Sequence, residues 1–123
     1  SPGMHISYTL ARLKSVLPQW HFMDPFPEAV EEADANTKGA QEIDVQLMGM
    51  AAQYAYWYNQ AVVKLDPSPL ANYTKDLARE ISAAYHKERI EGGRDAFRGA
   101  ISFAGYTLEK CMTDLGMSPL MKV

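Results

Sequence analysis

The sequence predicts an all-α fold: a small helical bundle of three long helices, with an N-terminal helix and one short helix added. Three observations predict it. Apolar residues recur at spacings of three and four over four separate stretches. Helix-stopping residues (Pro18, Asp66-Pro67-Ser68-Pro69, Gly92-Gly93, Gly116) fall between or just after those stretches. No segment alternates with period two, and no Asn-Gly or Asp-Gly dipeptide marks a hairpin. At 123 residues the chain fits one domain, able to bury roughly two-thirds of its unfolded surface. Residues 4–116 are expected to form it, residues 1–3 to be a cloning scar ahead of Met4, and residues 117–123 to be a loose tail.

The first element runs from His5 to Leu17, where Ile6, Leu10, Leu13 and Leu17 share one face. Pro18 ends it, because the residue before a proline is pushed out of the α region. A connector rich in aromatics follows, with Trp20, Phe22 and Phe26. Pro27 suits a first helical turn, and Glu28, Glu31 and Glu32 favour a helix N-terminus. That is the short helix. Residues 24–44 hold seven acids and one base, a local charge of −6.

Glu42 to Leu65 reads as one long helix. Ile43, Leu47, Met50, Tyr54, Trp57, Ala61 and Leu65 trace a stripe, and Val45, Ala52, Tyr56 and Val63 make the opposite side apolar as well. No charge occurs between Asp44 and Lys64. A helix apolar all round is expected at the centre of a bundle, or with its second face covered by another copy. Gln46, Gln53, Asn59 and Gln60 interrupt the run too often for a membrane span. The next helix runs from Pro69 to about Glu91, with Ser68 as its cap, and Leu70, Tyr73, Leu77, Ile81 and Ala84 face inward. The last runs from Arg94 to Leu115, closed by Gly116, and Gly99, Ala100, Ala104 and Gly105 let a neighbour approach closely.

Composition limits the chemistry. The net charge of −3 argues against a protein that coats DNA. A single cysteine, Cys111, excludes an internal disulfide and fits a cytoplasmic protein. His5, His21 and His86 lack metal-ligand spacing, Gly92-Gly93-Arg94 lacks the spacing of a phosphate loop, and Cys111 falls on an apolar helix face. The expectation is therefore no catalytic residue, no metal, no cofactor and no enzymatic activity.

Binding surfaces remain. Trp20, Phe22, Phe26, Tyr56, Trp57 and Tyr58 are candidate protein-binding residues, since aromatics carry large contact area at interfaces. Glu28, Glu31, Glu32 and Asp34 are a candidate acidic docking segment. Lys75, Arg79, Lys87, Arg89, Arg94 and Arg98 form a basic surface able to meet phosphates. Residues 73–110 nevertheless hold six acids against seven bases, a local charge of only +1, which favours pairing along the helices. The leading expectation is a non-enzymatic adaptor or inhibitor that docks on another protein and self-associates as a dimer. Nucleic acid is a possible partner that is not favoured, and no membrane is expected. The alternative is an accessory protein of nucleic-acid metabolism acting through the Lys75–Arg98 face. The helix carrying Tyr54, Trp57 and Asn59, and the last helix bounded by Gly99 and Gly116, resemble small phage recombination mediators. That likeness implies an oligomeric helical protein that helps load a recombinase on single-stranded DNA. The acidic balance departs from the basic one expected there.

Overall fold

The structure, a computed structural model, describes residues 40–88 and 93–117 together with Ile6, Thr9 and Ala11. Four helices run through the two long stretches: α1 (Glu42–Ala51), α2 (Tyr54–Lys64), α3 (Ser68–Lys87) and α4 (Asp95–Asp114). No strand occurs among the described residues. The fold is all-helical, as the sequence predicts. Ile6, Thr9 and Ala11 are helical and buried, in agreement with the expected N-terminal helix. The aromatic connector with Trp20, Phe22 and Phe26, the acidic helix with Glu28, Glu31, Glu32 and Asp34, Arg89, and residues 118–123 lie outside the described residues.

The centre of the bundle is α4. It packs against α1 and α3 and buries residues on nearly every side, Phe97, Ile101, Leu108 and Met112 among the largest. Its small residues explain how. Gly99, Ala100, Ala104 and Gly105 are all buried, so neighbouring helices can close in without a side chain to separate them. Leu47 of α1 and Leu77 and Ile81 of α3 complete the core. Each such side chain contributes about 1.5–3 kcal/mol by leaving water. Met117 follows the Gly116 turn, where the φ of 72° needs a residue without a Cβ. The Gly116 N–H donates to Thr113 O at 3.0 Å and the Met117 N–H to Met112 O at 2.8 Å, satisfying the carbonyls at the helix end.

The sequence places a single helix over Glu42–Leu65 at the centre, and here the structure differs. The helix breaks at Ala52–Gln53, and α2 has no buried residue at all. Nothing local forces the break, since Ala51, Ala52 and Gln53 are good helix formers. The cause comes from α3. The Tyr73 hydroxyl lies 2.7 Å from Met50 O and 3.1 Å from Ala51 O, the two carbonyls that a continuous helix would offer to the N–H groups of Tyr54 and Ala55. The chain then restarts as α2 and packs on α3 at the edge of the bundle. Tyr54, Trp57 and Ala61 lean on the core. Val45 of α1 and Tyr56, Val62 and Val63 of α2 are exposed. An uncharged stretch is thus not a buried one.

α2 ends on Leu65, whose φ of 52° puts an L-residue in the left-handed region with its side chain 92% exposed. The chain turns directly into α3, where Asp66 accepts the Ser68 N–H at 3.0 Å and does the capping expected of Ser68. That bond is the main reason the Asp66 carboxyl titrates below its ordinary range. α3 stops at Lys87, short of Glu91, because Glu88 turns extended to meet Arg94.

Candidate functional site

Successive residues on a helix are turned by about 100°, so a helix surface sorts residues that composition averages together. On α3 the inward face is Leu70, Tyr73, Thr74, Leu77, Ile81 and Ala84. Opposite it, Asn72, Lys75, Arg79, Ser82 and His86 fall within an arc of about 80° and extend over roughly 21 Å. Asp76 and Glu80 sit together on one flank of this stripe. Arg79 leaves 64% of its side chain exposed and makes only a long contact of 3.4 Å to Asp76. Exposed pairs of that kind contribute little, so Arg79 is available to another anion. Lys87 is exposed at the C-terminal end of the helix. The local charge of +1 hides this sorting: Lys75 and Arg79 share one face, while Asp76 and Glu80 lie beside it with Lys87 at an angle between them.

Two of the predicted basic residues behave differently. Arg94 donates through Nη1 to Asp44 Oδ2 at 2.7 Å, through Nη2 to Asp44 Oδ1 at 3.0 Å, and through Nη2 to Glu88 Oε1 at 2.8 Å. Asp44 also accepts the Gln41 N–H at 2.8 Å and has no exposed side-chain surface. Burial alone would raise the Asp44 pKa. The bonds from Arg94 and from the Gln41 N–H outweigh it and hold the carboxyl below its ordinary value. Arg94 therefore ties α1, α3 and α4 together and directs its charge to two carboxylates of its own chain. Arg98 stands on the first turn of α4, partly buried.

The aromatic candidates divide as well. Tyr56 and Tyr58 are exposed, and Trp57 is half-buried with its ring edge-on to Tyr56 at 4.8 Å. The Trp57 indole Nε1–H donates to Gln53 Oε1 at 3.1 Å. Between α2 and α3 the indole walls a pocket of about 210 Å³ whose other sides are Met50, Gln53, Asn72, Tyr73 and Asp76. Sequence reasoning missed Gln53 and Asn72. The helical angle of Asn72 beside Lys75 and Arg79 was available as a signal, but the meeting of Gln53 with α3 depends on the break in the predicted long helix. A second hollow of about 240 Å³ lies on the far side of the α1–α2 junction, lined by Tyr54, Phe103, Tyr106 and Lys110. There the Tyr54 hydroxyl donates to Asp114, and Lys110 Nζ stands 5.6 Å from the Tyr54 ring centroid.

Cys111 is fully buried, and burial pushes its thiol up to about 12. Among the described residues no cluster of three or more His, Cys, Asp or Glu side chains is arranged to hold a metal ion. No helix among them is long and apolar enough to cross a membrane.

A family profile described as a DALR anticodon binding domain matches residues 6–123. Two curated relatives are similar over 90 residues: the arginine–tRNA ligase of Janthinobacterium sp. (strain Marseille), 30% identical, and that of Herminiimonas arsenicoxydans, 31% identical. Each alignment covers 73% of this chain and 15% of the relative, so the chain spans only a small part of the length of the ligases it matches. No solved structure gives a significant match. These findings overturn the expected protein-docking adaptor or inhibitor and the likeness to phage recombination mediators. The anticodon is a segment of tRNA, so the disfavoured partner class, nucleic acid, replaces the protein partner. The portion shared with the ligases is a binding domain.

Proposed function

This chain belongs to the DALR anticodon-binding domain family, and on that premise we propose that it binds tRNA through the solvent face of α3, with Lys75 and Arg79 meeting backbone phosphates. The observation that carries the reading is the separation of charge around α3. Asn72, Lys75, Arg79, Ser82 and His86 present donors and cations along one stripe, with the acids to one side. Phosphate neutralisation supplies most of the affinity of such a surface. Asn72 and Ser82 add hydrogen bonds that register the RNA without reading its sequence. Arg94 contributes by fixing the ends of α1, α3 and α4 against one another, not by touching the RNA.

Arginine-accepting tRNA is the first ligand to test, because the relatives that share the domain are arginine–tRNA ligases. In this reading the chain supplies recognition and assigns no step of aminoacylation to its own residues. The experiment is a binding titration of an arginine tRNA transcript over a range of salt concentrations. The wild-type chain should show log K falling linearly with log salt. Lys75→Ala with Arg79→Ala should flatten that slope by roughly 1.5, because each phosphate left without its cation removes about 0.7–0.9. A wild-type affinity indifferent to salt, or a double variant with an unchanged slope, rejects the reading.

A further inference from the structure

The hollow at the α1–α2 junction lies apart from the α3 stripe: its lining comes from α1, α2, α4 and Ala52 between the first two. On the α4 side Phe103, Tyr106, Thr107 and Lys110 stand at i, i+3, i+4 and i+7, so they share one face of that helix. The other side is made by Ala51, Ala52 and Ala55, none with more than a methyl group to fill the gap, and by Tyr54. That meeting of bulky with small side chains leaves about 240 Å³ open. An apolar cavity of about 150 Å³ takes a benzene ring, and drug-sized ligands need roughly 300 Å³ or more. The space therefore suits one ring with a short substituent. The polar groups decide what the substituent is. The Tyr54 hydroxyl is committed to Asp114, and Thr107 Oγ1 donates to Phe103 O at 2.9 Å, so both protons are spent inside the protein. Lys110 differs. It is exposed, its Nζ stands 5.6 Å from the Tyr54 ring centroid, and no carboxylate among the described residues pairs with it. Asp114, one turn beyond Lys110 on α4, is held by the Tyr54 hydroxyl and does not line the hollow.

We propose that this hollow binds a small aromatic carboxylate, with its ring among Tyr54, Phe103 and Tyr106 and its carboxylate on Lys110. Rings gain from edge-to-face and offset contact with other rings beyond the area they bury, which favours an aromatic acid over an aliphatic one of the same size. The lysine ammonium is a compact charge on a flexible stem with rotatable donors, so it meets a carboxylate on a short arm without demanding a fixed geometry. An amide in place of the carboxylate keeps the shape and loses the charge. No lining residue belongs to α3, so the site is independent of the surface read as meeting tRNA, and a ligand in it leaves that surface open.

The test is a ligand-observed NMR titration of the full 123-residue chain with phenylacetate, phenylacetamide and cyclohexylacetate. Phenylacetate should bind about tenfold more tightly than the amide, the difference that one charge-assisted hydrogen bond makes, and more tightly than cyclohexylacetate. Lys110→Gln should weaken phenylacetate about tenfold and leave phenylacetamide unchanged, which is the signature of a coupled pair. Ala55→Leu fills the hollow from an exposed helical position where leucine is a good helix former. It should abolish binding of all three with the far-ultraviolet circular dichroism unchanged. Lys75→Ala with Arg79→Ala should bind phenylacetate as wild type does, which separates the hollow from a general attraction of anions to the α3 stripe. No binding of phenylacetate at millimolar concentration overturns the proposal, as do equal affinities for phenylacetate and either analogue. Undiminished binding in Ala55→Leu, or a loss in the Lys75 and Arg79 variant, puts the ligand elsewhere and overturns it too.

Discussion

Replacing Asp44 by asparagine should cost the chain about 3 kcal/mol. The side chain has no exposed surface and accepts three hydrogen bonds, two from Arg94 and one from the Gln41 N–H. Asparagine keeps one acceptor oxygen and turns an N–H group toward donors. About two charge-assisted bonds disappear, each worth roughly 1.5–3 kcal/mol. Arg94 is 29% exposed and keeps Glu88, so its stranded charge is partly solvated, and the total settles near the lower end of what breaking a buried pair costs. For a chain of this size that is a fall in Tm of roughly 10 °C. Urea unfolding followed by far-ultraviolet circular dichroism measures it. A pH series adds an independent check. The folded-state pKa of Asp44 lies below the ordinary value of 3.8, so its contribution is complete above that value and is lost as pH falls through the depressed folded value. Wild type should therefore destabilise more steeply than Asp44→Asn in that acid window. A variant within about 1 kcal/mol of wild type, or parallel acid profiles, would refute the claim that this network holds the helix ends.

Three further outcomes are expected. Tyr73→Phe removes the hydroxyl shared by the Met50 and Ala51 carbonyls at the α1–α2 break, of which Met50 O keeps the Gln53 N–H, and should cost about 1–2 kcal/mol in the same assay; an effect below about 0.5 kcal/mol would show that water replaces the hydroxyl freely. Leu65→Gly should stabilise by about 1 kcal/mol, since the left-handed backbone is relieved and a 92% exposed side chain gives up no packing; a lower urea midpoint contradicts this. Cys111, buried and with its thiol pushed up to about 12, should resist a thiol-specific disulfide reagent at mildly alkaline pH until denaturant is added; rapid stoichiometric labelling of the folded chain would be the opposite result.

The helices of this bundle are legible where pattern and punctuation agree. α3 carries a regular apolar stripe bounded by proline and glycine, and Leu70, Tyr73, Leu77, Ile81 and Ala84 face inward as the spacing predicts, whereas Thr74 of α3 and Met112 of α4 are buried without being marked by it. The centre is not legible in the same way, because a lack of charge between Asp44 and Lys64 does not amount to burial. The break after Ala51 goes with a hydroxyl 22 positions away from the Ala51 carbonyl it meets, which no local propensity encodes. The same holds for Arg94, whose partner Asp44 is 50 positions distant; beside Gly93 it reads as a free cation. The basic residues of the α3 stripe are visible individually, and only summing charge along the chain conceals that they share a face.

The isolation of α2 has a consequence for how the domain breathes. An element with no buried residue, leaning chiefly on α3, can detach without opening the core around α4. Its amide protons should then exchange with solvent through local opening, at a free energy well below that of global unfolding, while those of α4 wait for the whole bundle to come apart. Two walls of the Trp57 pocket, Trp57 and Gln53, move with the loosely held helix, whereas Asn72, Tyr73 and Asp76 stay with the firm one. Anything gripped between them slows the exchange of α2 in proportion to its occupancy, so α2, the described helix with no buried residue, reports directly on what is bound.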